Sequence, residues 1–174
     1  MTFQIGDKVV YPNQGVGTIE NISIRPFGSV PEKFYLLRLG CGGMTVLVPF
    51  SNVDNVGLRR VTKEREISRM LAFLSTGRYA IRPDWKVRFR ENSEKMQSGD
   101  LLKVAEVFKS LLQLHMEKPL SFREKKMLDR SRHMLIAEIS IASRVAEPEA
   151  VAMLDRSLAK VGLAAAAAVA TASA

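Results

Sequence analysis

Apolar and polar residues alternate along the first sixty residues of the chain, a pattern typical of short, half-buried strands. Turn-forming runs rich in glycine and proline interrupt the alternation, at 12–15, 26–28 and 40–43. The pattern predicts five strands, over 8–11, 16–24, 34–39, 44–48 and 53–61. Five short strands with glycine-rich turns favour a small antiparallel barrel, because closing a sheet removes its exposed edges.

The fourth of these strands carries an apolar residue on its polar side. Met44, Val46 and Val48 alternate with Thr45 and Leu47, so if the first set faces the core, Leu47 faces outward. A single exposed leucine is common on protein surfaces and has no necessary meaning. The alternative is an apolar contact with a partner protein.

From residue 62 the apolar spacing changes to the three- and four-residue period of helices. Five helices are predicted, beginning near residues 63, 83, 100, 121 and 147. Thr62 is expected to cap the first, and Pro83 to lie in the first turn of the second. Ser121 and Glu124 have the spacing of a capping box for the fourth. Because these helices carry apolar stripes, we expect a compact bundle.

These patterns predict an α+β protein of two domains, a small antiparallel β-barrel over 1–61 followed by an all-α helical bundle over 62–162. Residues 163–174 are a low-complexity, alanine-rich tail that is predicted to be disordered.

Positive charge is concentrated in the middle of the chain. Residues 1–60, 61–130 and 131–174 carry formal net charges of +2, +6 and 0. The excess includes the cations around Trp85 and the run Arg123, Lys125, Lys126 and Arg130. It favours a polyanion as partner, most often nucleic acid, although a solvated basic face has the same composition.

Trp85, the only tryptophan, lies within the basic segment RPDWKVRFR at residues 82–90. A planar ring among cations at a helix start suits a phosphate backbone with a base step behind it. The simpler interpretation is that Trp85 and Phe89, four residues apart, share a core-facing stripe.

Little in the chain suggests catalysis or a bound cofactor. Cys41 is the only cysteine, and neither His115 nor His133 has a carboxylate or cysteine at metal-ligand spacing. The chain shows no basic-then-apolar leader and no apolar run long enough to span a membrane. We therefore expect a cytoplasmic protein that is not an enzyme and needs no cofactor or metal.

Five runs together form a recognisable order along residues 3–160: GDKVVYPNQGVG at 6–17, VGLR at 56–59, SGD at 98–100, AEV at 105–107 and LSFREKKML at 120–128. In this order and spacing they resemble the CarD/CdnL family of bacterial transcription regulators. The resemblance implies a Tudor-like barrel that binds the β subunit of RNA polymerase through residues at the positions of Arg25, Leu47 and Pro49.

The resemblance also implies that the helical domain binds promoter DNA. Trp85 then wedges into the minor groove at the upstream edge of the melted region and stabilises the open complex. The accompanying cations that we predict to contact DNA are Arg82, Lys86, Arg88, Arg90, Lys125 and Lys126. Such a protein is expected to be nucleoid-associated and monomeric.

Two other functions remain open at this point. The helical domain of a polymerase-bound adaptor would recruit a further protein rather than DNA. A general single-stranded nucleic-acid binder would instead need aromatic residues spread over the barrel strands, several of which the core must use.

Overall fold

The computed structural model describes residues 2–40, 42–164 and 166–167, and for Phe27 the backbone alone. The chain divides into two compact units, Met1–Val61 and Thr62–Ala174, at the position where the apolar period changes. The first unit is an antiparallel sheet and the second is helical, which confirms the predicted α+β class.

The first unit is one five-stranded sheet whose neighbouring strands are all antiparallel, in the order β4-β3-β2-β1-β5. The strands are β1 Lys8–Tyr11, β2 Gly15–Phe27, β3 Val30–Leu39, β4 Thr45–Pro49 and β5 Arg59–Arg60. A register shift between Ile19 and Asn21 interrupts the long β2–β3 ladder. Tyr35, Leu37 and Val48 are buried in the core of this unit.

The predicted strand over 53–61 is wrong for most of its length. A short helix, α1, spans Val53–Val56, and only β5 is extended. Gly57 follows α1 in the left-handed conformation, at φ 71°, which suits a residue without a Cβ at a helix end. The chain therefore turns before it can pair with β1.

Within the part of the second unit that the structure describes, five helices have defined bounds, as the period predicted: α2 Glu64–Leu74, α3 Trp85–Ser98, α4 Leu101–Glu117, α5 Phe122–Ser143 and α6 Glu147–Ala159. Helix α4 packs against α2, α3 and α5, and most of its apolar residues are buried. The predicted capping box is present, since Ser121 and Glu124 each accept a hydrogen bond from the other's backbone N–H.

Two predicted helix starts differ from the structure. Thr62 does not cap α2: its backbone N–H donates to Glu138 at 3.0 Å, and its hydroxyl is bonded to the same carboxylate oxygen. Helix α3 begins at Trp85 rather than Pro83, because Asp84 is its N-cap. Pro83 therefore lies before the helix and not in its first turn.

The predicted alanine-rich tail is described only at its start. Leu163, Ala166 and Ala167 are buried against the core of the helical unit, and the amide of Ala167 donates to the carbonyl of Leu163 at 3.2 Å. The rest of the predicted tail lies outside the described residues.

Candidate nucleic-acid and protein interfaces

The side chain of Trp85 lies at the surface, on the first residue of α3. One carboxylate oxygen of Asp84 accepts hydrogen bonds from the amides of Lys86 and Val87, at 2.8 and 2.9 Å, which fixes where the helix begins. Trp85 is 58% exposed, and the ammonium of Lys86 lies 5.8 Å from its ring centroid. A core stripe shared with Phe89 is therefore wrong for Trp85, since large aromatic side chains in a core are mostly buried.

Arg88 is the predicted DNA-contacting residue that the structure places differently. It is only 4% exposed. Its guanidinium bonds one oxygen of Glu124 from two nitrogens, at 2.9 and 3.3 Å, and also donates to the carbonyls of Arg82 and Pro83. All three guanidinium nitrogens therefore have protein partners, so Arg88 holds the start of α3 against the start of α5 rather than meeting a phosphate.

The other predicted cations are exposed: Arg82, Lys86, Arg90, Lys125 and Lys126. Arg82 and Arg90 pair with carboxylates on α3 at the long distances of 3.6 and 4.0 Å. Exposed pairs of this length contribute little and can exchange for a phosphate at small cost. These side chains come from the segment before α3 and from the first two turns of α3 and of α5. The Arg88–Glu124 pair joins the starts of these two helices.

Phe122 is an exposed aromatic residue that the sequence interpretation missed. It is the first residue of α5 and is 71% exposed. The ammonium of Lys126, one turn later, lies 4.6 Å from its ring centroid. The sequence could have indicated this exposure, because Phe122 directly follows the capping serine and does not belong to the apolar stripe of α5.

Half-buried polar contacts hold residues 75–84, the segment that connects α2 to Trp85 at the start of α3. The amide of Tyr79 donates to the side-chain oxygen of Gln113 at 3.0 Å, and its hydroxyl donates to Glu106 at 3.1 Å. Lys95 donates to the same hydroxyl at 2.7 Å and pairs with Glu106 at 2.8 Å. Partial burial lowers the pKa of Lys95, but its bonds to Glu106 and Tyr79 outweigh this effect and raise the pKa overall.

A buried lysine holds the other end of this segment. Lys109 of α4 donates to the carbonyls of Phe73 and Thr76 at the end of α2. Its ammonium also lies 4.8 Å from the ring centroid of Phe73. Burial lowers the pKa of this ammonium. The Phe73 carbonyl also accepts from the amide and the hydroxyl of Thr76, so Lys109 adds to the hydrogen bonds at the end of α2 and fixes where the segment begins.

In the sheet unit, the three predicted polymerase contacts share one face. The register pairs Arg25 with Glu32, Pro49 with Phe34 and Leu47 with Leu36. Since alternate residues of a strand point to the same side, positions 32, 34 and 36 of β3 share a face with their partners. Leu47 is 37% exposed.

Leu36 is a further apolar residue on this face that the sequence interpretation missed. It is half-buried, directly opposite Leu47. Residues 34–37 of β3 are all apolar, so alternation alone could not assign their faces. Strand β4 is the outermost strand of the sheet, beside β3, so this apolar pair lies next to the sheet edge.

Two further features, a metal cluster and a membrane-spanning helix, are not found in the part of the chain that the structure describes. Among those residues, no three histidine, cysteine, aspartate or glutamate side chains are grouped where they could hold a metal ion. None of the described helices is both long enough and apolar enough to span a bilayer.

Comparisons with known proteins cover both units. The family model of the CarD-like/TRCF RID domain matches residues 3–62, and the family model of the CarD C-terminal domain matches residues 69–155. The Bacillus subtilis (strain 168) protein named "Putative transcription factor YdeB" is 33% identical over 147 residues, which are 84% of this chain and 96% of that protein. The chain therefore belongs to the CarD family of transcription regulators, with an RNA polymerase-interacting domain followed by the family's C-terminal domain.

Proposed function

We propose that this protein binds the β subunit of RNA polymerase through the face of Arg25, Leu47 and Pro49 and stabilises the open promoter complex through Trp85. The ring acts as a wedge in the minor groove at the upstream edge of the melted DNA. The observation that carries the proposal is a 58% exposed tryptophan, rigidly placed on a capped helix start among exposed cations.

An exposed ring on a fixed backbone is suited to unstacking a base step. Proteins that kink DNA insert apolar side chains between base pairs and hold the backbone with nearby cations. Trp85 has that setting, with Lys86 beside its ring and Arg82 and Arg90 close by in sequence. Melting a promoter is close to balanced, so a preference for the opened, kinked junction shifts the equilibrium toward the open complex.

Attachment to polymerase supplies the selectivity that the helical unit lacks. Phosphate contacts position a protein on DNA without reading sequence. A polymerase-bound sheet unit raises the local concentration of Trp85 at every promoter that the enzyme occupies. The shared face of Arg25, Leu47 and Pro49 supports this attachment, because it combines a cation and apolar residues beside the β4 edge.

The alternative is an adaptor whose helical unit recruits a protein. The exposed rings alone would serve that purpose. The exposed lysines Lys86, Lys125 and Lys126 near them favour DNA, because lysine is depleted in protein–protein interfaces.

Binding of promoter DNA is expected to weaken steeply as the salt concentration rises. Arg90→Ala and Lys125→Ala should each lower the slope of log affinity against log salt by about 0.9, the value for one lost phosphate contact. The measurement is the affinity of the full chain for a labelled promoter fragment over a range of salt concentrations.

Lys160→Ala is the matched control, since Lys160 is an exposed lysine at the end of α6 and is not expected to contact DNA. If Arg90→Ala and Lys125→Ala behave like this control, the basic surface is only a solvated face and the phosphate contacts are wrong.

A further inference from the structure

We propose that Phe122 is a second base-contacting residue, which stacks on an unpaired base beside the step opened by Trp85. The inference rests on the proposed DNA function and extends it to a specific substrate, the junction between paired and unpaired DNA. Phe122 is 71% exposed, more than any other large apolar side chain described.

The helical core does not account for Phe122. Leu120 and Leu128, on either side of it in sequence, are both buried in that core. Phe122 is instead on the first residue of α5, where the capping box of Ser121 and Glu124 fixes the backbone. A large ring held in solvent on a rigid helix start loses little conformational freedom on binding, which favours a contact role.

The two exposed rings have the same local arrangement. Each is the first residue of a helix directly after a capping side chain, Asp84 for Trp85 and Ser121 for Phe122. Each has a lysine ammonium near its ring, at 5.8 Å for Lys86 and 4.6 Å for Lys126. Such a pair matches a nucleotide, whose base can stack on the ring while its phosphate meets the ammonium.

A buried ion pair joins the two helix starts. Arg88, one turn after Trp85, contacts Glu124, two residues after Phe122, at 2.9 Å. Each ring is therefore within about one helical turn of the same ion pair. This largely buried pair holds the first turns of α3 and α5 together, and on this ground we assign both rings to one DNA-binding surface.

The chemistry of this surface favours opened DNA over intact duplex. The exposed cations Arg123, Lys125 and Lys126 follow Phe122 in the first two turns of α5, while Glu124 is already paired with Arg88. In a duplex the faces of the bases are covered by their stacked neighbours, so a phenylalanine ring has no face to stack on. An unpaired base beside a wedged step offers that face.

The test compares the affinity of the full chain for a forked DNA, whose paired part ends in two unpaired strands, with that for a fully paired duplex of the same sequence. Phe122→Ala should weaken binding to the fork roughly five-fold or more, the effect of losing one stacked base. It should change duplex binding and thermal melting little. Phe122→Leu keeps apolar bulk without a ring and should retain only part of the affinity for the fork, which tests the ring in a more conservative variant.

Met116→Ala is the matched control, because Met116 is a 59% exposed apolar residue at the end of α4. If Trp85→Ala weakens fork binding while Phe122→Ala behaves like Met116→Ala, the second contact is wrong and the proposed function stands. If neither Trp85→Ala nor Phe122→Ala weakens fork binding, the proposed DNA function fails as well. A loss by Phe122→Ala that is equal on fork and duplex overturns the assignment to an unpaired base.

Discussion

Replacing Arg88 with methionine is expected to lower the free energy of unfolding by about 3–5 kcal/mol, the usual effect of removing one partner of a buried ion pair. Methionine keeps apolar bulk but leaves the Glu124 carboxylate largely buried without its cation. It also leaves the carbonyls of Arg82 and Pro83 without their donor. Thermal and denaturant unfolding of the variant measure the loss.

Arg90→Met is the matched control, on the same helix but with an exposed side chain and a carboxylate 4.0 Å away. It should change the free energy of unfolding by no more than about 0.5 kcal/mol. In the double variant Arg88→Met/Glu124→Gln, part of the lost stability should return, because no uncompensated charge remains and glutamine can keep the capping box with Ser121. An Arg88→Met variant as stable as the wild type, with reduced DNA affinity, would restore Arg88 to the DNA contacts.

The same ion pair predicts how stability depends on pH in acid. Burial raises the pKa of Glu124, but the hydrogen bonds from Arg88 and Ser121 outweigh it and hold that pKa below its ordinary value. The stabilisation that Glu124 gains from these hydrogen bonds is therefore fully present above the pKa of an unfolded glutamate, about 4.3. It is lost as the pH falls from there through the lower pKa of the folded state, a dependence that Glu124→Gln should remove.

Reversing the charge of Arg25, or introducing one at Leu47, is expected to abolish binding to the polymerase β subunit while the protein stays folded. Arg25→Glu and Leu47→Glu each place an acid on the face that these residues share with Pro49. A buried, unpaired carboxylate or a like-charge contact at an interface costs several kcal/mol. Pull-down of the β subunit and titration with it measure the loss.

The control for this face is Ile24→Glu, at an exposed apolar residue next to Arg25 on the other side of β2. It introduces the same charge and should leave binding intact. Retention of binding by both Arg25→Glu and Leu47→Glu would remove this face from the interface.

Sequence reasoning succeeded where the signal is local. Alternation predicted five strands, of which the first four are present close to the predicted bounds, and helical spacing predicted helices α2 to α6. The Ser121–Glu124 spacing predicted the capping box. The strand predicted over 53–61 was wrong, although its residues are apolar enough for a strand. Gly57 ends the short helix α1 in this segment, so most of it is not extended. As the N-cap, Asp84 rather than Pro83 sets where α3 begins. Its side chain accepts hydrogen bonds from two backbone amides, and this fixes a helix start more firmly than a proline does, which only lacks an N–H.

Contacts between residues distant in sequence could not be predicted in this way. Arg88 was assigned to DNA from the family resemblance and its basic neighbours, and neither of these identifies the partner of a charge, which here lies 36 residues further along. Thr62 was assigned to a cap for the same reason, since Glu138 is 76 residues away. Phe122 was overlooked because its exposure depends on how α5 packs, and a single aromatic residue has no period.

The lifetime of the open complex with Trp85→Ala protein tests the proposed function most directly. Because Trp85 is 58% exposed, the variant should keep its melting temperature and its binding to the β subunit. The lifetime should fall by roughly five- to a hundred-fold, if the loss of a stacking contact of about 1–3 kcal/mol appears wholly in the rate of collapse. Trp85→Phe should retain part of the effect, since a smaller ring can still wedge. A folded, polymerase-bound Trp85→Ala protein that sustains the wild-type lifetime would contradict the wedge.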